Sequence, residues 1–183
     1  KGPNTGGMGA YSPTPLFTQE LRSKVEKTIL IPILEAMNNE GTPFKGFLYI
    51  GLMVNENTPY VIEFNVRLGD PEAQVLLPLI KSSLLDMMLD AVDGNLKYHN
   101  IILSSDYAVT VVLAVDGYPE KYNKNMKIQG LSNLNNDIVY HAGTKYESGS
   151  YYTNGGRVLN VVGIDKDLSI AKDKAYSIIN KID

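Results

Sequence analysis

The sequence predicts an α+β fold in which an antiparallel sheet with helices is followed by a small β-rich domain closed by a helix. Three observations carry that expectation. Apolar residues recur at fourfold spacing after Thr18, two strand-like runs flank the turn-rich segment 55–59, and from about Ser105 short runs of Val, Ile, Thr and Tyr alternate with Gly and Asn. At 183 residues the chain suits one ordinary domain or two small ones. With 44% hydrophobic and 20% charged residues it can bury a core, which excludes disordered and fibrous classes.

Residues 1–17 hold four of the 16 glycines and three of the 9 prolines, so they read as a loop. Thr18 is the expected N-cap of a helix with Leu21, Val25, Ile29, Ile33 and Met37 on one face, kinked at Pro32 and ended by 38–43. Gly46 to Val54 and Tyr60 to Arg67 then form an antiparallel hairpin. Asp70-Pro71-Glu72 has the pattern of a helix start, with a capping carboxylate and proline at the first helical position. The apolar stretch from Val75 to Val92 is divided by Pro78 and by the capping pattern Ser83-Leu84-Leu85-Asp86. A boundary falls between Asp93 and Ser105, giving domains 1–97 and 98–183. Strands are expected at 107–115, 138–141, 151–153 and 157–163. A helix over 167–183, with Ala171, Ala175, Ile178, Ile179 and Ile182 on one face, closes the chain.

The net charge of −3 carries no overall footprint for nucleic acid or an anionic membrane. The absence of cysteine excludes a disulfide scaffold, a thiolate metal site and a cysteine nucleophile, and is compatible with a reducing cytosol. No apolar run approaches the ~18 residues of a membrane span. The abrupt start at Lys1-Gly2-Pro3 suggests a piece of a longer polypeptide.

Strand alternation puts Val61, Glu63, Asn65 and Arg67 on one face and Tyr60, Ile62, Phe64 and Val66 on the other. One reading is a half-buried strand with its polar face in water. The other makes Glu63 and Asn65 oxygen ligands, about 7 Å apart along the strand, for a magnesium ion that keeps its remaining positions for phosphate, with Arg67 facing the same charge. In the opening loop, Gly6, Gly7 and Gly9 allow an anion nest, or merely a glycine-rich connection, and no lysine follows to make a Walker-type P-loop. Thr153-Asn154-Gly155-Gly156-Arg157 reads either as a hairpin turn with a solvated arginine or as a phosphate contact. His99 and His141 lack partners at metal-ligand spacing and read as structural.

Taken in order, Gly2-Pro3-Asn4-Thr5-Gly6-Gly7-Met8-Gly9-Ala10-Tyr11-Ser12-Pro13, Gly46-Phe47-Leu48-Tyr49, the block from Val61 to Glu72, His141-Ala142-Gly143-Thr144-Lys145 and Thr153 to Leu159 resemble the phosphoribosylamine–glycine ligase family of the ATP-grasp superfamily. Each block is modest; the ordered set, spanning nearly the whole chain, is specific. The resemblance implies the second lobe of an ATP-grasp unit followed by the β-rich domain. It implies a cytoplasmic enzyme of purine biosynthesis that joins glycine to 5-phosphoribosylamine, with ATP as co-substrate and Mg2+ or Mn2+ as cofactor, and no nucleic-acid or membrane partner.

By the same resemblance Glu63 and Asn65 are the metal ligands and Arg67 is the catalytic contact to the transferred phosphoryl group. Asn4, Thr5, Gly6, Gly7, Met8 and Gly9 form the substrate-side loop. Asp70 and Glu72 order the following helix beside it, and Gly155, Gly156 and Arg157 hold the 5′-phosphate of phosphoribosylamine, a group that suits a forked guanidinium. Tyr49 to Met53 supplies no further acidic ligand, so the metal set is lean. The adenine pocket belongs to an N-terminal part upstream, and this stretch alone is expected not to turn over. Another ATP-grasp enzyme of purine metabolism, or a non-catalytic nucleotide-binding fragment, are the alternatives; the opening loop favours the glycine ligase.

Overall fold

The computed structural model describes residues 2–98 and 100–183, without the side chain of Tyr98. Along the chain run β1 (Gly9–Ser12), α1 (Gln19–Val25), α2 (Ile31–Asn39), β2 (Tyr49–Asn55), β3 (Thr58–Asn65), α3 (Ala73–Leu76) and α4 (Leu84–Asp93). They are followed by β4 (Tyr107–Ala114), β5 (Lys127–Ile128), β6 (Ile138–His141), β7 (Thr144–Glu147), β8 (Ser150–Thr153), β9 (Arg157–Asp165) and α5 (Leu168–Ile179). The fold is α+β with antiparallel sheets, as the periodicities imply.

Two compact units interleave along the chain. One comprises the chain up to Ser12, Asp70–Leu79 and Leu103–Asp183; the other comprises Pro13–Gly69 and Ile80–Ile102. The division expected at 97/98 separates chain segments, whereas these units are assembled from segments distant in sequence. Each is described by itself below.

The second unit is built on a helix and a hairpin. Thr18 caps α1 by accepting a hydrogen bond from Leu21 N–H, and Leu21 and Val25 are buried. The irregularity that Pro32 forces is taken up one turn earlier, where Glu26–Leu30 form a π turn and Ile31 N–H donates to Glu26 O. Proline then sits in the first turn of α2, where its missing N–H costs least. The strands β2 and β3 pair antiparallel through a two-residue turn, with Glu56 and Asn57 at φ of 47° and 58°. Helix α1 holds that turn: Lys24 Nζ donates to Asn57 O, and Asn57 Nδ2 donates to Glu20 Oε1, each at 2.8 Å. Ser83 caps α4 through Asp86 N–H, and Gly94, at φ 78°, ends it in the left-handed conformation a side chain would resist.

The first unit is a four-stranded sheet in the order β1-β4-β9-β6, with a smaller sheet β5-β8-β7. Residues 9–12, expected as loop, form its edge strand β1, with Gly9 opposite Val111 and Val112 N–H donating to Met8 O. Gly-Ala-Tyr-Ser has no strand pattern of its own; the ladder of β4 supplies the order. One face of the sheet packs on α3, where Val75, Leu79, Ala108 and Val162 form a buried cluster. The other face takes α5, capped by the Asp167 carboxylate at Ser169 and Ile170 N–H. There Ala171 and Ala175 lie so close to Gly163 that a Cβ on that glycine would fall 2.0 Å from Ala171 O.

Candidate functional site

The predicted ligand strand is β3, and its register alters the expected faces. Tyr49 pairs with Asn65 and Gly51 with Glu63, but Leu52 pairs with Val61, so Ile62 is an extra residue forming a β-bulge. Directly paired residues share a face, so Glu63 and Asn65 lie together with Tyr49 and Gly51, as the spacing requires. Upstream of the bulge the alternation shifts by one residue, so Val61 leaves that face and Tyr60 joins it. This corrects the expected row: an uninterrupted period of two cannot be assumed across a bulge. Gly51 is what makes room for the acid, since a Cβ there would lie 3.1 Å from Glu63 Cγ.

Glu63 is exposed and Asn65 half-buried. Arg67 does not continue the row, because β3 ends at Asn65; the arginine is exposed in the bend that follows and donates from Nη1 to Leu68 O at 3.0 Å. Among the described residues no group of three or more His, Cys, Asp or Glu could hold a metal. Glu63 and Asn65 can offer two oxygen donors from one face, which suits a magnesium-like ion whose other ligands come from phosphate and water.

Of the other predicted residues, Gly6, Gly7 and Asp70 meet in the first unit around Arg157, at the start of β9. Its Nη1 donates to Gly7 O at 3.1 Å and to Asp70 O at 2.9 Å, and its Nη2 forms an ion pair with Asp70 Oδ2 at 2.9 Å. The guanidinium lies against Gly6, where a Cβ would come 2.7 Å from Arg157 Cζ. Gly7 in turn has no room for a side chain beside Pro71 Cδ, 2.5 Å from its would-be Cβ. One cation thus fastens the opening loop to the segment after β3.

Asp70 was expected to cap a helix; instead α3 begins at Ala73 after Glu72, with no side-chain cap. The carboxylate is drawn away by charge: Oδ2 takes Arg157 while Oδ1 accepts from Gln74 Nε2 at 2.9 Å. Nor is 153–157 a hairpin turn. Strand β8 belongs to the small sheet and β9 to the large one, so Asn154-Gly155-Gly156 crosses between sheets, with Gly155 against Gly143 and Gly156 under the Tyr118 ring. Arg157 is only partly solvated, its side chain being 24% exposed.

Sequence reasoning missed Tyr118 and Gln74. Gly6 N–H donates to the Tyr118 hydroxyl at 3.2 Å while the same ring covers Gly156, so Tyr118 joins two predicted segments. No local pattern marks it; only the fold brings 6, 118 and 156 together. Asn4, Thr5 and Met8 are exposed in the loop, Gly9 stands in β1, and Glu72 is half-buried with its carbonyl accepting from Val75 and Leu76 N–H. His141 stacks on Tyr151 at 4.4 Å between centroids and its Nδ1 lies 3.0 Å from Thr144 Oγ1, a structural setting. His99 lies outside the described residues. Elsewhere in this unit Asp165 is held below its ordinary pKa of 3.8 chiefly by the Lys174 ammonium, with help from Asp167 N–H.

Comparison with known proteins matches two successive family models. Residues 1–73 match the phosphoribosylglycinamide synthetase ATP-grasp (A) domain and residues 108–183 match the phosphoribosylglycinamide synthetase C domain. The chain belongs to the phosphoribosylglycinamide synthetase family. It is 41% identical over 182 residues to the phosphoribosylamine–glycine ligase of Caldanaerobacter subterraneus subsp. tengcongensis, covering 100% of this chain and 44% of that protein. It is 47% identical over 178 residues to the trifunctional purine biosynthetic protein adenosine-3 of Gallus gallus, covering 96% of this chain and 18% of that protein. The crystal structure of the phosphoribosylamine–glycine ligase of Thermotoga maritima superposes with a TM-score of 0.88 at 35% identity, covering 100% of this chain and 45% of that one. The chain therefore spans less than half the length of these relatives. Among the described residues no helix is long and apolar enough to cross a membrane.

Proposed function

We propose that this chain is the C-terminal part of a synthetase that joins glycine to 5-phosphoribosylamine with ATP, giving glycinamide ribonucleotide, ADP and phosphate. The observation that carries the proposal is the convergence of the opening loop and Asp70 on Arg157 in a chain whose relatives bear that ligase name. In the proposed reaction a glycine carboxylate oxygen attacks the γ-phosphorus of ATP, the bond to ADP breaks, and glycyl phosphate forms. The amine of phosphoribosylamine then attacks the carbonyl carbon, phosphate leaves with the C–O bond electrons, and the amine loses its proton. Both steps concentrate negative charge, so fixed cations are needed where phosphate oxygens lie.

A divalent ion, Mg2+ or Mn2+, would be held by Glu63 and Asn65 and would supply charge neutralisation. Arg67, with its guanidinium turned to solvent save for one bond, is assigned to the transferred phosphoryl group. The loop 4–9 bounds the substrate side. Arg157 keeps Nε–H and one Nη2–H beyond its bonds to Gly7 and Asp70, and these are assigned to the 5′-phosphate; Gly155 and Gly156 let that phosphate approach the backbone. Asp70 and Glu72 order α3 beside the loop. Residues 1–97 would carry the metal and phosphoryl chemistry and 98–183 the β-rich domain, in a cytoplasmic enzyme whose adenine pocket lies in an N-terminal part.

The test is a coupled assay of the full-length protein against its Glu63→Gln variant. ATP turnover dependent on both substrates should collapse by at least about a hundredfold; unchanged turnover would overturn the ligand assignment. The 183-residue chain alone should release no ADP in the same assay, and release would sink the claim that it needs the N-terminal part.

A further inference from the structure

The half-buried Tyr118 side chain meets the surroundings of Arg157 at two points. Its hydroxyl accepts from Gly6 N–H at 3.2 Å, and its ring covers Gly156, where a Cβ would fall 2.1 Å from Tyr118 Cδ2. Gly156 is the residue that leads into Arg157. Gly6 is the residue that faces the guanidinium, with a would-be Cβ 2.7 Å from Arg157 Cζ. One aromatic side chain therefore bears on the backbone from which Arg157 starts and on the loop against which its fork ends.

Tyr118 is itself firmly held. Beyond the end of β4, Val115 N–H donates to Gly156 O at 2.9 Å and Tyr118 N–H donates to Val115 O at 3.2 Å, so the turn carrying the tyrosine hangs on the same glycine that the ring covers. The ring packs against the buried cluster of Val115, Val158 and Leu159, with Tyr122 edge-on at 6.1 Å between centroids. A tyrosine has an apolar body and a polar tip, so the ring stays in that cluster while the hydroxyl reaches the loop. Gly6 has the widest backbone freedom of any residue type, and a bond to its N–H selects one orientation of its peptide. One residue on, Gly7 O accepts from Arg157 Nη1 at 3.1 Å, so a turn of the Gly6 peptide is passed directly to the fork.

We infer that Tyr118 is a positioning residue: through Gly6 its hydroxyl sets the direction in which Arg157 presents its remaining N–H groups. The inference rests on the assignment of those groups to the 5′-phosphate of phosphoribosylamine, and the experiment separates the two. Ribose 5-phosphate, which carries the phosphate without the amine, is titrated by calorimetry into the full-length protein and into its Tyr118→Phe, Arg157→Ala and doubly substituted variants. Phenylalanine keeps the ring over Gly156 and removes the acceptor for Gly6 N–H. Tyr118→Phe should weaken binding roughly three- to tenfold, the effect of one neutral hydrogen bond. Because it acts through Arg157, it should add nothing to the loss caused by Arg157→Ala. Wild-type affinity in Tyr118→Phe beside a weakened Arg157→Ala would overturn this inference and leave the phosphate assignment standing, and so would additive losses in the double variant. Unchanged affinity in Arg157→Ala, or no binding to the wild type, would overturn the phosphate assignment and this inference with it.

Discussion

The two groups of candidate site residues are held in opposite ways. Glu63 and Asn65 stand on one hairpin, two residues apart, the first exposed and the second half-buried, and are placed by pairing with β2 across a two-residue turn. The Arg157 cluster draws on residues 6, 7, 70, 118 and 156, and one of its hydrogen bonds spans 150 positions. A site on a hairpin inherits its geometry from local register and can keep its side chains in water. A site tied across the fold is part of what holds that fold together. Substitutions at the hairpin should therefore change chemistry with little effect on stability, whereas substitutions at the cluster should change both.

The largest expected break in that contrast is at the glycines. Gly163→Ala would put a methyl 2.0 Å from Ala171 O and 2.7 Å from Ala175 N, so α5 must move off the sheet. A loss of about 3–5 kcal/mol, read by denaturant unfolding, is expected. Gly51→Ala in the hairpin is tight only against a flexible side chain, Glu63 Cγ at 3.1 Å, with Tyr49 Cε1 at 3.5 Å, and should cost about 1 kcal/mol or less while displacing the acid. Equal losses in the two variants would end the distinction between the hairpin and the packed unit to which the Arg157 cluster belongs.

Next in size is Arg157→Ala. It strips Gly7 O and Asp70 O of their donor and leaves Asp70 without its cation, a change of about 2–3 kcal/mol in stability. If the full-length protein has the proposed ligase activity, the variant should raise KM for phosphoribosylamine far more than KM for glycine. Arg157→Lys should recover little, since a point charge cannot reach both carbonyls and the carboxylate as a fork does. Equal effects on the two KM values would make Arg157 a fold residue alone. Glu63→Gln is the counterpart, with an unfolding free energy expected within about 0.5 kcal/mol of wild type.

The smallest effect concerns pH. The Asp165 carboxyl titrates below its ordinary 3.8 because Lys174 and Asp167 N–H favour its charged form. A depressed folded-state pKa stabilises the fold above the unfolded value, so that contribution is present above about pH 4 and is lost as pH falls through the folded value. Tm measured from pH 5 to pH 2.5 should fall less steeply in Asp165→Asn than in wild type. Parallel curves would show that this surface pair contributes nothing measurable.

Much of this was legible in the residues. Thr18, Ser83 and Asp167 each cap the helix they precede, since capping acts within three residues. The hairpin, the break at Pro78 and the last helix follow from patterns of equal reach. The places where local pattern failed share one cause. Residues 9–12 are a strand because β4 lends its ladder, and Asp70 leaves the cap position because a cation from 87 residues away takes its carboxylate. Ile62 bulges where nothing in the order of apolar and polar residues marks it.

By itself the sequence determined the α+β class, the helix caps, the hairpin carrying Glu63 and Asn65, and, through its ordered motifs, the family. Each of these rests on interactions between near neighbours or on the order of short blocks. Only the tertiary structure decided that Arg157 buckles the opening loop to Asp70, that Tyr118 and Gln74 belong to the same assembly, and that the compact units interleave. The physical reason is that a guanidinium, a carboxylate and a buried amide choose partners by distance in space, and chain order does not encode that distance.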